Sequence, residues 1–310
     1  MIQQVKTYLV ELGPNSPLVR LALKLHCRRN GFAARFLDKR IMIRRGAREM
    51  ILSEKDFYLI PFALNCFDQT FRDIEPTATE DHLVLDFSNP GSCHYSRYGL
   101  TLSFPGLPEE DCIEAYTHWY KPESGDLVFD IGAHAGLTTC QLARMVEPGG
   151  RVVAFEPDPN SFSWLVKNIR DQNISNVTIV PIAIDAKTGT ALFNADGTLG
   201  AALLDHTVYG HTGGQVEVQT LSLQDACAEF GCPQFVKMDI EGAEVAVVQS
   251  AADFLSSHPI NLAFETYHRT RDGRYTWTLL EPMLRGFGYE VGSSAEFGQM
   301  FTWARPRAAV

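Results

Sequence analysis

Between the apolar run Leu127-Val-Phe-Asp130 and a helical stretch that ends near Val146 lies Asp130-Ile-Gly132-Ala133-His134-Ala135-Gly136. A strand that stops at an acid, turns on glycines and enters a helix is the opening unit of a βαβ layer. The glycines permit a sharp turn and close approach of a ligand, and the following helix N-terminus presents unpaired N–H groups to a polar or negative group. The alternation continues down the chain. Arg151–Phe155 is a second apolar run, followed by a helix with Phe162, Leu165, Val166 and Ile169 at i, i+3, i+4, i+7. Val177–Val180, Phe235–Met238 and Ile260–Phe264 read as further strands, with one helix from Gly242 to about Leu255. Tyr289-Glu-Val291 and Met300-Phe-Thr-Trp303 read as a closing antiparallel hairpin. Short apolar strands separated by helices predict an α/β fold with a mostly parallel, doubly wound, Rossmann-like sheet.

Glu156 ends the second strand, 26 residues after Asp130. An acid there is placed to accept hydrogen bonds from both hydroxyls of a ribose. The spacing D-x-G-x-x-x-G is not the G-x-G-x-x-G of dinucleotide sites, and an acid before the first glycine repels a pyrophosphate. Acids at both strand ends suit S-adenosylmethionine, which carries an ammonium, a sulfonium and a ribose diol.

Four segments, LVFDIGAHAGLTT (127–139), VVAFEPDPNSFSWLVKNI (152–169), NVTIVPIAI (176–184) and FVKMDIEGAEVAVV (235–248), occur in the order and spacing of one family. In them the chain resembles the FkbM-type S-adenosylmethionine-dependent methyltransferases, over about residues 105–270. The resemblance implies the class I methyltransferase fold and methyl transfer to a hydroxyl of a sugar, polyketide or other small metabolite. It implies that Asp130, Gly132, Ala133, His134 and Gly136 form the loop around the methionine moiety and that Thr139 helps fix its carboxylate. Glu156 is expected at the ribose, Ile182 and Ala183 along the adenine, and Asp239 where cofactor and acceptor meet. His134 departs from the family pattern, which usually has Asn there.

A hydroxyl acceptor needs its proton removed, by a general base or by a metal ion that lowers its pKa. The strand ends offer Asp239, Glu265 and His268 as catalytic candidates. Asp239 and Glu265 together are a candidate carboxylate pair for Mg²⁺. Glu241 reads as an acid stabilising a helix N-terminus, Glu244 as a solvated acid on a helix face, and His268 equally as a site residue or as a loop hydrogen-bond partner. The excursion Asn194–Gln219, with five glycines and His206, Tyr209 and His211, reads as a lid over the acceptor or as a hairpin with a loose tip.

Charge divides the chain. Residues 1–50 hold eleven Lys/Arg and three acids, whereas the remainder holds sixteen basic and thirty-four acidic residues. So acidic a body is a poor match for a nucleic-acid backbone. The basic start includes an amphipathic helix opening at Asn15-Ser16-Pro17, with Leu18, Leu21, Ala22 and Leu25 expected to pack inward. Seven scattered cysteines with no C-x-x-C pair suit reduced thiols. With no secretory pattern at the start and no long apolar run, a cytoplasmic enzyme without membrane insertion is expected. The expected organisation is an N-terminal cap over residues 1–110, for substrate or for a second copy of the chain, and a cofactor domain over 111–310. The expected partner is a small-molecule acceptor and the expected activity O-methylation. N-methylation of an aminosugar-like amine is the alternative, ahead of a nucleoside-binding protein without catalysis or a nicotinamide oxidoreductase.

Overall fold

The computed structural model describes residues 12–195, 202–203, 214–270 and 272–307. The chain divides into two compact units, Met1–Glu110 and Asp111–Val310.

In the first unit, helix α1 (Pro17–Arg29) leads into an antiparallel meander of β1 (Ala33–Leu37), β2 (Arg40–Arg45) and β3 (Arg48–Ser53). Ile41 and Ile43 on β2 and Met50 and Leu52 on β3 alternate with polar neighbours and are buried, as one packed sheet face requires. Helix α2 (Ile60–Asp73) buries Ala63, Leu64, Phe67 and Phe71, and the Phe67 ring meets Phe32 edge-on at 5.0 Å. Strand β4 (Thr77–Ala78) lies at the sheet edge beside β5 (Leu83–Phe87), which runs parallel to β3. A separate hairpin follows, β6 (Gly91–Tyr95) and β7 (Leu100–Phe104). The apolar face of α1 differs from expectation. Leu18, Leu21 and Leu25 are 63%, 55% and 47% exposed. The inner line is instead Val19, Leu23 and Cys27, at i, i+4 and i+8, on the other side of the helix.

The second unit opens with the short helix α3 (Ile113–Tyr116) and is built on a seven-stranded sheet. In chain order its strands are β8 (Leu127–Ile131), β9 (Arg151–Phe155), β10 (Val177–Val180), β15 (Phe235–Met238), β16 (Asn261–Glu265), β17 (Tyr289–Ser294) and β18 (Phe301–Pro306). In space they run β10-β9-β8-β15-β16-β18-β17. The first five are parallel, β18 is antiparallel to β16, and β17 pairs antiparallel with β18. This is the class I methyltransferase arrangement. Helices α4 (Leu137–Met145) and α5 (Pro159–Asp171) follow β8 and β9. Asp158 caps α5 by accepting from the N–H groups of Asn160 and Ser161. Phe129, Ile131, Phe155, Val236, Met238 and Phe264 fill the core.

Between β10 and β15 the chain adds a small sheet of β11 (Ala183–Ile184), β12 (Gly189–Ala195), β13 (Ala202–Leu203) and β14 (Gly214–Leu221), ordered β11-β14-β12-β13. The two long strands are antiparallel over seven residue pairs. The expected lid tip, with Gly197, Gly200, Gly210, Gly213, His206, Tyr209 and His211, lies outside the described residues. Helix α6 (Leu223–Phe230) leads to β15. The single helix expected from Gly242 is two, α7 (Glu244–Ser250) and α8 (Ala252–Ser257). It starts late because Glu241 and Gly242 have φ of 57° and 109°, which no right-handed helix accommodates. Ala251, at φ −92° and ψ 15°, separates the two pieces. Helix α9 (Trp277–Gly286) precedes the final hairpin.

Candidate active site

Strand order reverses between β8 and β15, and in open parallel sheets the crevice beyond such a switch point is where ligands bind. The turn after β8 alternates through left-handed backbone, with φ of 80° at Gly132, 47° at His134 and 93° at Gly136. At Gly132 nothing larger fits, since a Cβ would stand 1.9 Å from the Asp239 carbonyl oxygen. The two central strand ends are therefore in direct contact. His, like Asn and Asp, is among the residues enriched in left-handed backbone, so a backbone requirement accounts for His134 standing where the family pattern has Asn.

Glu156 closes the turn from the next strand. Its Oε2 accepts from the His134 N–H at 2.7 Å and its Oε1 from the Asp158 N–H at 2.8 Å. Burial pushes its carboxyl up to about 7, against the pull of His134 and the two N–H donors. Ile182 is half-buried against the main core, and Ala183 is buried in β11 opposite Thr220.

Asp130 and Thr139 are engaged with one another and with the neighbouring strand. Both are fully buried, and the Thr139 hydroxyl donates to Asp130 Oδ2 at 2.6 Å. The Lys237 ammonium, on the neighbouring β15, lies 3.1 Å from Asp130 Oδ1 and donates to the Gly132 carbonyl at 2.6 Å. A buried carboxylate needs a countercharge, and these partners supply it. Lys237 thus links Asp130 to the Gly132 carbonyl of the loop. A lysine inside Phe235-Val-Lys-Met238 was the available signal, because charges in buried parallel strands are rare.

Beyond the ends of β15 and β16 stands a cluster of acids around one imidazole. His268 is fully buried. Its Nε2 lies 3.4 Å from Glu241 Oε2 and 3.8 Å from Asp239 Oδ1, and its Nδ1 lies 3.4 Å from Glu244 Oε1. Burial works against a charged imidazole, yet Glu241 and Glu244 outweigh it and hold His268 well above its ordinary value. Glu265, ending β16, accepts from the Tyr116 hydroxyl at 3.2 Å, and the same hydroxyl lies 3.5 Å from Asp239 Oδ2. Burial first, and Asp239 second, push the Glu265 carboxyl well up. Tyr116 is raised in the same way by burial and these two acids.

Several expectations change here. Glu244 is not a solvated acid. It is fully buried and accepts from the N–H groups of Ile240 and Gly242 as well as facing His268. Glu241, in left-handed backbone, turns its carboxylate to His268 rather than serving a helix end. His268 has no exposed surface and faces Glu241, Asp239 and Glu244. Asp239 and Glu265 are neighbours as expected, but the donor atoms placed around a common point are those of Asp239, Glu241 and His268. A buried imidazole among the donors fits Mg²⁺ poorly, because that ion takes oxygen ligands and keeps several waters. Tyr116, Lys237 and Glu244 are site residues that the sequence reading missed.

The sheet order and the turn at its switch point are those of the class I methyltransferase fold. Residues 130–291 match the Methyltransferase FkbM domain, and the chain belongs to that family. It is thus an S-adenosylmethionine-dependent methyltransferase. Among curated proteins it is similar to the hexuronic acid methyltransferase AglP of Haloferax volcanii, 27% identical over 175 residues, which cover 56% of this chain and 67% of that one. It is also similar to the protein-L-isoaspartate O-methyltransferase of Aeropyrum pernix, 30% identical over 90 residues, 29% of this chain and 33% of the other. A solved methyltransferase FkbM from Methylobacillus flagellatus aligns with a TM-score of 0.45 at 18% identity, covering 61% of this chain and 45% of that structure. Among the described residues no helix is long and apolar enough to cross a membrane.

Proposed function

We propose that the protein transfers the methyl group of S-adenosylmethionine to a hydroxyl of a sugar-type small molecule, with Asp239 as the base. The observation that carries this reading is the placement of Asp239. It follows β15 directly, its backbone touches the cofactor turn at Gly132, and its side chain is 27% exposed while those of Glu244 and His268 are closed off. It is thus the acid that both borders the cofactor and can meet an acceptor.

The hydroxyl oxygen attacks the methyl carbon in line with the breaking S–C bond, whose electron pair stays on sulfur, while the hydroxyl proton passes to the Asp239 carboxylate. The products are a methyl ether and S-adenosylhomocysteine. Glu156 is assigned to the ribose diol, and the turn from Gly132 to Gly136 to the methionine end. Asp239 and Glu241, the partly exposed acids of the cluster, disfavour an acceptor carboxylate by like-charge repulsion. AglP, whose name describes action on a hexuronic acid, supports a sugar as the acceptor class.

The test is incubation of the full chain with methyl-¹³C S-adenosylmethionine and a panel of neutral sugars, uronic acids and aminosugars, read by ¹³C NMR. A methyl ether is expected. A methylamine from the aminosugars alone, or a methyl ester, would overturn the hydroxyl assignment.

A further inference from the structure

The acid cluster gathers more carboxyl groups than there are cationic side chains shown facing it. Asp239, Glu241 and Glu244 face a single imidazole, Glu265 stands beside Asp239 on the Tyr116 hydroxyl, and Lys237 is engaged with Asp130 and the Gly132 carbonyl. Buried charge of one sign is costly unless a cation or protons offset it. The polar atoms facing this centre are also short of partners. Asp239 Oδ1, Glu244 Oε2 and both ring nitrogens of His268 are buried and without a hydrogen bond.

We propose that Asp239 Oδ1, Glu241 Oε2 and His268 Nε2 form a binding site for one divalent transition-metal ion of the zinc or manganese kind. One donor atom from each of the three residues lies within 4.8 Å of the other two. For bonds of about 2.1 Å, the edge of a tetrahedron is about 3.4 Å. The distances from His268 Nε2 to Glu241 and Asp239, 3.4 Å and 3.8 Å, are close to that edge, so an ion enters with little rearrangement. One imidazole and two carboxylates select a borderline transition ion over Mg²⁺ or Ca²⁺. Three protein ligands leave a fourth position open, the pattern of ions that act on a substrate.

Glu244 completes the arrangement. Its Oε1 faces His268 Nδ1 at 3.4 Å, and it is itself oriented by the N–H groups of Ile240 and Gly242. A carboxylate on the far ring nitrogen fixes the tautomer that turns Nε2 to a metal, and such partners govern affinity. The ion's use rests on the hydroxyl-acceptor reading, since an open position beside Asp239 suits an oxygen nucleophile, whose pKa a bound metal lowers. Asp239 Oδ2, directed to Tyr116, stays available for the proton.

The test uses the full chain stripped with EDTA and titrated with Co²⁺ alone, followed by visible absorption, with Zn²⁺ and Mg²⁺ as competitors. Expected are one ion per chain, an intense low-coordinate spectrum, displacement by Zn²⁺ and none by Mg²⁺. Glu241→Gln and His268→Gln should each weaken binding by roughly tenfold or more, and Glu244→Gln by about 10–100-fold. Retained S-adenosylhomocysteine binding serves as the check on folding. If a variant does not fold, X-ray absorption of the Co²⁺-loaded parent decides, because imidazole scattering is required. No stoichiometric binding, an all-oxygen six-coordinate spectrum, or unchanged affinity in a folded His268→Gln protein would overturn the proposal. Failure of the hydroxyl reading shows up separately, in the ¹³C product, because metal binding is measured without any acceptor.

Discussion

The Lys237 ammonium and the Asp130 carboxylate sit opposite one another on adjacent parallel strands, 3.1 Å apart and both buried, directly beneath the turn that defines the cofactor crevice. Because the same ammonium also holds the Gly132 carbonyl at 2.6 Å, this pair ties two central strands to the loop that follows β8.

Breaking one side of that pair strands a charge in the core. Lys237→Met should cost about 3–5 kcal/mol of stability in urea unfolding, whereas Lys237→Met combined with Asp130→Asn should recover a large part of it. Additive losses in the double variant would show that the two side chains are not coupled.

The turn discriminates between its glycines. Gly132→Ala meets the Asp239 backbone oxygen at 1.9 Å, and a backbone atom cannot step aside; Gly136→Ala meets only the end of the Leu165 side chain at 2.5 Å. Both carry a left-handed strain of roughly 1–3 kcal/mol. Gly132→Ala should therefore lose S-adenosylhomocysteine binding and lower the melting temperature, and Gly136→Ala should be milder on both. Calorimetric binding and thermal unfolding of the two variants check the order.

Glu156 makes both stability and binding depend on pH. Its folded pKa, about 7, lies above its ordinary value of 4.5, so between those values the folded state holds more protons than the unfolded one. Its contribution to stability is therefore present below about pH 4.5 and is lost as pH rises through 7. Ribose hydroxyls donating to the carboxylate favour the ionised form, so binding should release a proton. S-adenosylhomocysteine affinity should rise from pH 6 to pH 8 and level off above. Titration calorimetry in buffers of different ionisation enthalpy measures that proton, and Glu156→Gln should abolish both the proton release and this pH dependence.

Tyr116 acts through the acids that it touches. Tyr116→Phe removes the donor to Glu265 and leaves a buried carboxyl oxygen without it, at a cost of about 1–3 kcal/mol, and methyl transfer should slow because the acids beside Asp239 lose their orientation. S-adenosylhomocysteine binding should stay unchanged. Loss of both together would place Tyr116 in the cofactor site instead.

The cofactor half of the molecule was legible because its information is local. Leu127–Asp130, Arg151–Phe155 and Phe235–Met238 are short apolar runs with acids and glycines at their ends, and each lies in a strand where the pattern put it. The first unit was harder to read, although Ile41 and Ile43 alternate with Arg40, Met42 and Arg44 in the manner of a half-buried strand. In α1 two apolar lines compete, and Val19, Leu23 and Cys27 lie inward while Leu18, Leu21 and Leu25 stay exposed. The sequence pattern places Asp239 and Glu265 at strand ends and His268 just beyond one, and the structure brings Asp239 close to His268 and, through the Tyr116 hydroxyl, to Glu265. The site was illegible where distant segments meet. Glu244 looks like a helix-face acid until His268, 24 residues on, is placed against it, and nothing near Tyr116 in sequence announces Glu265.

The assignment of Asp239 as the base that serves the cofactor crevice is tested most directly by single-turnover methyl transfer in Asp239→Asn against the parent, with S-adenosylhomocysteine affinity measured in parallel. A general base contributes roughly 10²–10⁴-fold. A rate loss of that size, with cofactor affinity changed only slightly and a methyl ether as the parent's product, is the predicted result. Transfer at the parental rate in a folded Asp239→Asn protein would contradict the account.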